Sequence, residues 1–134
     1  MGLKEKRAVK SFEENSYPEL KAKITDTVGF DLEIEVHWDT LAQDRMEHVY
    51  EDSFPKVYFQ PVIQAFEDIC QDDMGKEALQ EVLKKIVIKN EAGIWSADKW
   101  ASFADGVLTL DHDPTTNADN VSARQESLLA AVEL

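Results

Sequence analysis

Residues 31–39 alternate strictly between polar and apolar side chains, and this pattern constrains the fold more than any other feature of the chain. One side carries Leu32, Ile34, Val36 and Trp38, and the other carries Asp31, Glu33, Glu35, His37 and Asp39. A period of two is typical of a β-strand with one buried and one solvated face. We therefore expect an antiparallel or mixed sheet that helices cover on one side only.

A second strand is indicated at residues 85–90, where Lys85, Val87 and Lys89 alternate with Ile86, Ile88 and Asn90. Its lysines complement Glu33 and Glu35, which favours the two strands as neighbours by about 0.2–1 kcal/mol per pair. Asp105-Gly106 predicts a tight hairpin between two further short strands, because this dipeptide accepts the positive φ angles of a two-residue turn.

Helical spacing of apolar residues covers most of the remaining chain. It predicts helices over residues 3–14, 16–28, 40–49, 55–73, 76–86 and 117–132. There is no repeat and no Pro/Gly/Ser-rich linker, so the sequence suggests no domain boundary. We predict one α+β domain over residues 1–134, with about six helices packed on a small, mainly antiparallel sheet of three or four strands.

The balance of charge limits the partners that this chain can bind. Asp and Glu number 27 against 14 Lys and Arg, which gives a formal net charge of −13. Such a surface repels nucleic acid and anionic membranes, because binding to either gains affinity from Lys and Arg set against phosphates. The expected partner is a basic protein. A single cysteine, Cys70, and the lack of an apolar leader or span lead us to expect a cytoplasmic protein.

The polar side of the first strand is the predicted partner surface, and it comprises Glu33, Glu35, His37 and Asp39. On the expected strand, His37 and Asp39 project from the same side. That spacing also suits two metal ligands, to which His112 or Asp111 would add a third.

The stretch Val107–Thr115 ends an apolar strand in Asp111-His-Asp113-Pro-Thr115, which resembles the first motif of the haloacid-dehalogenase phosphotransferases. The resemblance implies Asp111 as the nucleophile and Asp113 as the acid and base, with Mg²⁺ between them. Only 19 residues follow Thr115, although that family needs later strands for its remaining residues. The resemblance covers nine residues and assigns no family to the chain.

The same loop offers side-chain oxygens at alternate positions and so resembles the opening of a calcium-binding EF-hand loop. Thr116 and Ser122 occupy the places where that loop needs Gly and Glu. The other interpretation is a turn in which Asp, Asn and Thr side chains bond to their own backbone. Asp111 and Asp113 are therefore the candidate metal ligands.

The segment Val49–Pro61 is rich in aromatic residues, which can form either a core or an interface for self-association into a homodimer. Cys70 lies on an apolar stripe, where a thiol packs as a small hydrophobe and its pKa rises. The chain lacks a Gly-x-Ser-x-Gly elbow, a phosphate-binding glycine loop, a His-Glu-x-x-His helix and a Cys-x-x-Cys pair.

These observations lead us to expect a non-catalytic interaction domain that needs no cofactor and presents an acidic face to a basic partner, as immunity proteins and DNA mimics do. Self-association remains a second mode of interaction. The alternative is a metal-dependent hydrolase or phosphotransferase that uses Asp111 and Asp113, with help from His37 or His112.

Overall fold

The computed structural model describes residues 2–134. The helices are α1 (Leu3–Asn15), α2 (Tyr17–Val28), α3 (Trp38–Leu41), α4 (Tyr50–Phe54), α5 (Gln60–Ile69), α6 (Asp73–Val82) and α7 (Val121–Val132). The strands are β1 (Glu33–Val36), β2 (Lys85–Lys89), β3 (Ala101–Ala104) and β4 (Val107–Asp111). Two 3₁₀ turns, Glu47–Val49 and Ala97–Lys99, connect these elements. The prediction of an α+β fold with a small four-stranded sheet is confirmed.

The sheet has the strand order β1-β2-β4-β3. Two of its pairings are parallel, β1 with β2 and β2 with β4, and only β3 pairs antiparallel with β4. The expectation of a mainly antiparallel sheet is therefore wrong. The chain leaves β1 through α3 to α6 and returns beside it in β2, and such a long crossover brings a strand back parallel.

The sheet buries one face against the helices, as the alternation predicted. Ile86, Ile88, Leu108 and Leu110 are at most 1% exposed, whereas the residues between them are only partly buried. The predicted neighbour relation of the first two strands is confirmed, since Glu33 pairs with Lys85 in the register.

The aromatic segment 49–61 lies in the core. Tyr50, Phe54, Val57, Tyr58 and Phe59 are all at most 1% exposed. The ring of Phe12 on α1 lies 5.1 Å from that of Phe54 and 6.1 Å from that of Phe59, centroid to centroid. Of the two interpretations of this segment, the core is therefore the one that these five side chains fit, because they pack inside the folded chain.

A π-helical turn, Pro55–Phe59, joins α4 to α5, so residues 50–69 form one continuous helical segment. The Gln60 N–H donates to the carbonyl oxygen of Pro55, one residue further back than in an α-helix. Pro61 follows and has no N–H, and its ring would clash with the preceding turn of a regular helix. Counted with this segment as one helix, the described residues form six helices, which is the predicted number, but the helix expected over residues 40–49 is wrong, because α3 ends at Leu41 and residues 42–46 are not helical.

The first strand is shorter than its sequence pattern suggests. It ends at Val36, and Trp38 and Asp39 begin α3. The Thr40 hydroxyl donates to the carbonyl oxygen of His37 at 2.6 Å, which helps turn the chain out of the sheet. Asp39 therefore does not project beside His37, contrary to the expected strand geometry.

Candidate protein-interaction surface

The polar face of β1 and β2 carries a network of ion pairs. The Lys85 Nζ lies 2.8 Å from a carboxylate oxygen of Glu35 and 3.3 Å from one of Glu33. The other oxygen of Glu35 lies 2.6 Å from His37 Nε2. Lys89 pairs with Glu91 at 3.1 Å. The parallel register places these side chains on the same face, and most of the negative charge there is neutralised by the lysines of β2.

The electrostatics of Glu35 reflect this network. The hydrogen bond from Lys85, followed by that from His37, lowers the pKa of Glu35 to about 2. A carboxylate that already accepts hydrogen bonds from two donors attracts a further cation less strongly. Three of the predicted partner residues, Glu33, Glu35 and His37, thus lie together. They lie on a surface where most of the negative charge is already paired with lysines of β2.

Asp39 lies elsewhere, at the rim of an apolar groove between α1 and α3. The groove has a volume of about 230 Å³ and is lined by Lys6, Val9, Lys10, Glu13, Trp38, Asp39 and Ala42. Its rim mixes two cations with two carboxylates. The predicted four-residue acidic surface is therefore divided between two sites.

Asp113 organises the loop that follows β4. One carboxylate oxygen, Oδ1, accepts hydrogen bonds from the backbone N–H groups of Thr115 and Thr116 at 2.9 and 3.0 Å and from the Thr116 hydroxyl at 3.0 Å, whereas the Thr115 hydroxyl donates to Gln43 Oε1 at 2.8 Å. The other oxygen accepts from Gln43 Nε2 at 2.8 Å. Burial raises the pKa of Asp113, but these hydrogen bonds outweigh it, and the net pKa is below the ordinary value.

Asp111 also bonds to the backbone. Its Oδ1 accepts from the N–H groups of Glu91 and Ala92 at 2.9 and 3.1 Å, which fixes the turn after β2. Within residues 2–134, no three His, Cys, Asp or Glu side chains converge in a way that could hold a metal ion. The geometry favours the interpretation of this loop as a turn whose side chains bond its own backbone.

His112 lies inside the protein with Arg124, and both side chains are fully buried. The ring Nδ1 lies 2.6 Å from the carbonyl oxygen of Asp113, so this nitrogen carries the proton and donates. Arg124 donates to the carbonyl oxygens of Ala118 and Thr116 at 3.3 and 3.2 Å. Burial lowers the pKa of His112 and that of Arg124. This buried group holds the loop against α7.

The strongest unneutralised charge lies on the end of α5 and along α6. Six carboxylates are exposed there within 15 residues, and we call them the α5–α6 acidic surface: Glu67, Asp68, Asp72, Asp73, Glu77 and Glu81. Within residues 2–134, none of them forms an ion pair, whereas the carboxylates of the sheet face do. The carboxylates on α6 at positions 73, 77 and 81 are each four residues apart and so lie in one line on the helix.

The single cation within this segment is turned away from the carboxylates. Lys76 packs its Cε and Nζ against Gly29, which ends α2 in a left-handed conformation at φ +80°. The C-terminal end of a helix carries partial negative charge, so this position suits a lysine. Lys76 therefore lies at the end of α2, and it forms no ion pair with the six carboxylates within residues 2–134.

The sequence reasoning missed this surface because it looked for an acidic face on the clearest strand. The signal was present as a local charge excess, six carboxylates against one lysine over residues 67–81. The sequence does not show which charges form ion pairs in the folded chain, and this pairing decides which carboxylates remain unpaired.

Comparisons of the chain with protein-family models, with curated proteins and with solved structures find no match. Among residues 2–134, no helix has both the length and the apolar character needed to cross a bilayer. The functional argument therefore depends on the geometry and charge of this chain alone.

Proposed function

We propose that this protein is a non-catalytic interaction domain that binds a basic protein partner through the α5–α6 acidic surface. The observation that carries the proposal is the set of six exposed carboxylates without ion pairs in 15 residues. Complementary charge accelerates encounter with a basic partner and opposes binding to acidic ones. The overall charge of −13 adds to the same attraction at longer range.

Part of the acidic surface has a cost in stability, although Asp72 caps α6 by accepting from the Gly75 N–H and Asp73 lies favourably in the first turn of that helix. Like charges four residues apart on a helix destabilise it by about 0.2–0.5 kcal/mol per pair. Asp73 and Glu77 form one such pair, and Glu77 and Glu81 form another. Glu67 and Asp68 lie near the C-terminal end of α5, where negative charge is also unfavourable. Stability is commonly given up where a surface serves another molecule.

An exposed methionine adds an apolar contact point. Met74 is 81% exposed and follows Asp73 in the first turn of α6. A methionine side chain is flexible and polarizable, so it adapts to partner surfaces of different shape. We therefore expect the partner to bring an apolar residue beside its Lys and Arg.

The test compares two variants of equal net charge in capture experiments from the native extract at low salt. One variant neutralises the acidic surface by Glu→Gln and Asp→Asn at all six positions. The control neutralises six exposed carboxylates elsewhere, at Glu14, Glu19, Asp31, Asp44, Asp105 and Glu133.

The proposal expects that the wild type and the control retain the same basic protein and that the α5–α6 variant does not. Retention should fall as salt is raised, because screening weakens exposed charges beyond about 10 Å at 0.1 M. Equal retention by both variants would show that only total charge matters and would contradict the proposal. Capture of no basic protein by the wild type would also contradict it.

A further inference from the structure

The β3 edge of the sheet is uncharged, unlike the opposite edge. β3 has the sequence Ala101-Ser-Phe-Ala104 and pairs only with β4 in the described chain. At the other edge, β1 carries Glu33 and Glu35. Exposed edges are usually protected by charge, proline or a bulge, because their unpaired backbone groups otherwise pair with another chain. β3 carries no charged side chain, proline or bulge, although it is only four residues long and α7 packs beside it.

The register shows which backbone groups of β3 face outward. The Asp111 N–H donates to the carbonyl oxygen of Trp100 at 3.2 Å, just before the strand begins. Ser102 and Ala104 lie two and four residues further along and therefore also face β4, because an antiparallel ladder alternates. The two-residue turn at Asp105 and Gly106, with φ of 54° and 82°, is consistent with this register. The N–H and C=O groups of Ala101 and Phe103 consequently point away from the sheet.

A groove lies at the start of this edge, between Ala101 of β3 and α7. It has a volume of about 530 Å³ and is lined by Asp98, Ala101, Ala123, Glu126, Ser127, Ala130 and Ala131. Small side chains leave room for a chain to approach the edge closely. The two charged residues of the lining are both carboxylates, and neither forms an ion pair within residues 2–134.

We propose that the β3 edge and this groove bind an extended segment that contains Lys or Arg and adds a fifth strand to the sheet. Backbone hydrogen bonds with Ala101 and Phe103 would supply the pairing, as in other cases of strand addition. Asp98 and Glu126 would bind alternate cationic side chains. This site is separate from the α5–α6 acidic surface, and the inference does not depend on the proposed function.

Charge favours a basic segment over a second copy of the chain at this edge. In a symmetric dimer the same patch of each copy meets the other, so Asp98 and Glu126 would share one interface with the two carboxylates of the second copy. Like charges brought together oppose such pairing. A basic segment gains the opposite interaction at the same positions.

The test uses a synthetic nine-residue peptide in which Lys alternates with Thr or Val, capped at both ends. A second peptide has the same sequence with every backbone amide N-methylated, so it keeps the charge but cannot donate. Binding is followed by NMR on the full chain, through amide hydrogen exchange at Ala101 and Phe103. Ala130→Tyr fills the groove from an exposed position of α7, and Ser122→Tyr is its control on the same helix outside the groove.

The inference expects the plain peptide to slow exchange at both amides by about tenfold or more and the methylated peptide to have no effect. Ala130→Tyr should weaken binding by about tenfold, equivalent to 1.4 kcal/mol, and Ser122→Tyr should leave it unchanged. Equal binding of both peptides, unchanged exchange at the two amides, or wild-type binding by Ala130→Tyr would overturn it. Slow exchange in the free protein together with a dimer in sedimentation would overturn it in favour of a second copy.

One further variant separates this inference from the proposed function. The six-fold neutralised α5–α6 variant should still show the peptide-dependent protection of Ala101 and Phe103, because its substitutions lie outside the groove. Loss of that protection would overturn the claim of a separate site. Failure of the α5–α6 surface to bind a basic protein would leave the result at β3 unaffected.

Discussion

Replacement of Asp113 distinguishes a structural carboxylate from a metal ligand. Three hydrogen bonds reach its Oδ1 and one reaches its Oδ2, because the single proton of the Thr115 hydroxyl goes to Gln43 Oε1 at 2.8 Å. An oxygen offers about two good acceptor directions, so the three bonds at Oδ1 count as about two and the total is about three effective bonds. At about 1 kcal/mol net each, Asp113→Ala should reduce the free energy of unfolding by about 3 kcal/mol. Asp113→Asn keeps the shape and should cost less.

The assay is urea unfolding followed by circular dichroism, with Asp105→Asn as the control. Asp105 is exposed in the hairpin turn with φ of 54°, a conformation that Asn accepts, so the control should stay within about 0.5 kcal/mol of wild type. A loss below about 1 kcal/mol in Asp113→Ala would refute the structural argument. A specific rise of the wild-type melting temperature with Mg²⁺, Mn²⁺, Ca²⁺ or Zn²⁺, lost in the variant, would support the metal alternative instead.

The same carboxylate predicts a dependence of stability on pH. The folded pKa of Asp113 is below its ordinary value, so its contribution is fully present above the unfolded pKa of about 3.9. That contribution is lost as the pH falls from there through the folded pKa, because the unfolded state then binds the proton more readily. Asp113→Asn should flatten this part of the stability profile, and an unchanged profile would contradict the assignment.

Four further predictions follow from the geometry. Phe12→Ala should cost about 3–5 kcal/mol in urea unfolding, because the fully buried ring contacts three other aromatic rings. Gly75→Ala should cost about 1–3 kcal/mol or more, since the added Cβ would lie 1.8 Å from the carbonyl oxygen of Ile69. Glu77→Gln should raise stability by about 0.5 kcal/mol, because it removes two repulsive i,i+4 pairs. The pKa of Glu35, about 2 in the wild type, should rise in Lys85→Met when the side-chain carboxyl carbon is titrated by NMR.

Each of these predictions has a contradicting result. Unfolding free energies within about 0.5 kcal/mol of wild type would refute the first two, since surface substitutions alone cause changes of that size. A loss of stability in Glu77→Gln would remove the argument that the acidic surface is costly. An unchanged pKa of Glu35 in Lys85→Met would show that the lysine does not hold that carboxylate.

Local patterns predicted the elements that depend on local chemistry. The alternation around Ile34 and Val36 predicted a strand with one buried face, and Asp105-Gly106 predicted the hairpin turn. Gly29 ends α2 with positive φ, as a helix stop should. The charge match of Lys85 with Glu33 even predicted the pairing of two strands that are far apart in sequence.

Features that depend on the path of the chain could not be predicted from local sequence patterns. The direction of pairing depends on the crossover between β1 and β2, and nothing in the alternation of β1 specifies it. The π-helical turn before Pro61 depends on how α4 and α5 pack into one segment. The polar character of Asp39 continued the strand pattern, although the residue belongs to α3.

The candidate surfaces show the same difference between features that local sequence predicts and features that depend on the folded chain. Sequence identified the charge excess of the chain. It placed the acidic face on β1, where ion pairs with β2 leave little free charge. The aromatic residues around Phe54 could serve a core or an interface, and only packing decides between the two.

The most direct test of the central claim is hydrogen–deuterium exchange, read by mass spectrometry, on the protein with and without its captured basic partner. We predict that exchange slows on complex formation in peptides spanning residues 67–82, where the six carboxylates and Met74 lie. Peptides that cover β1 and β2 should be unchanged, because their charges are already paired. Protection of those strands without any effect on residues 67–82 would contradict the account.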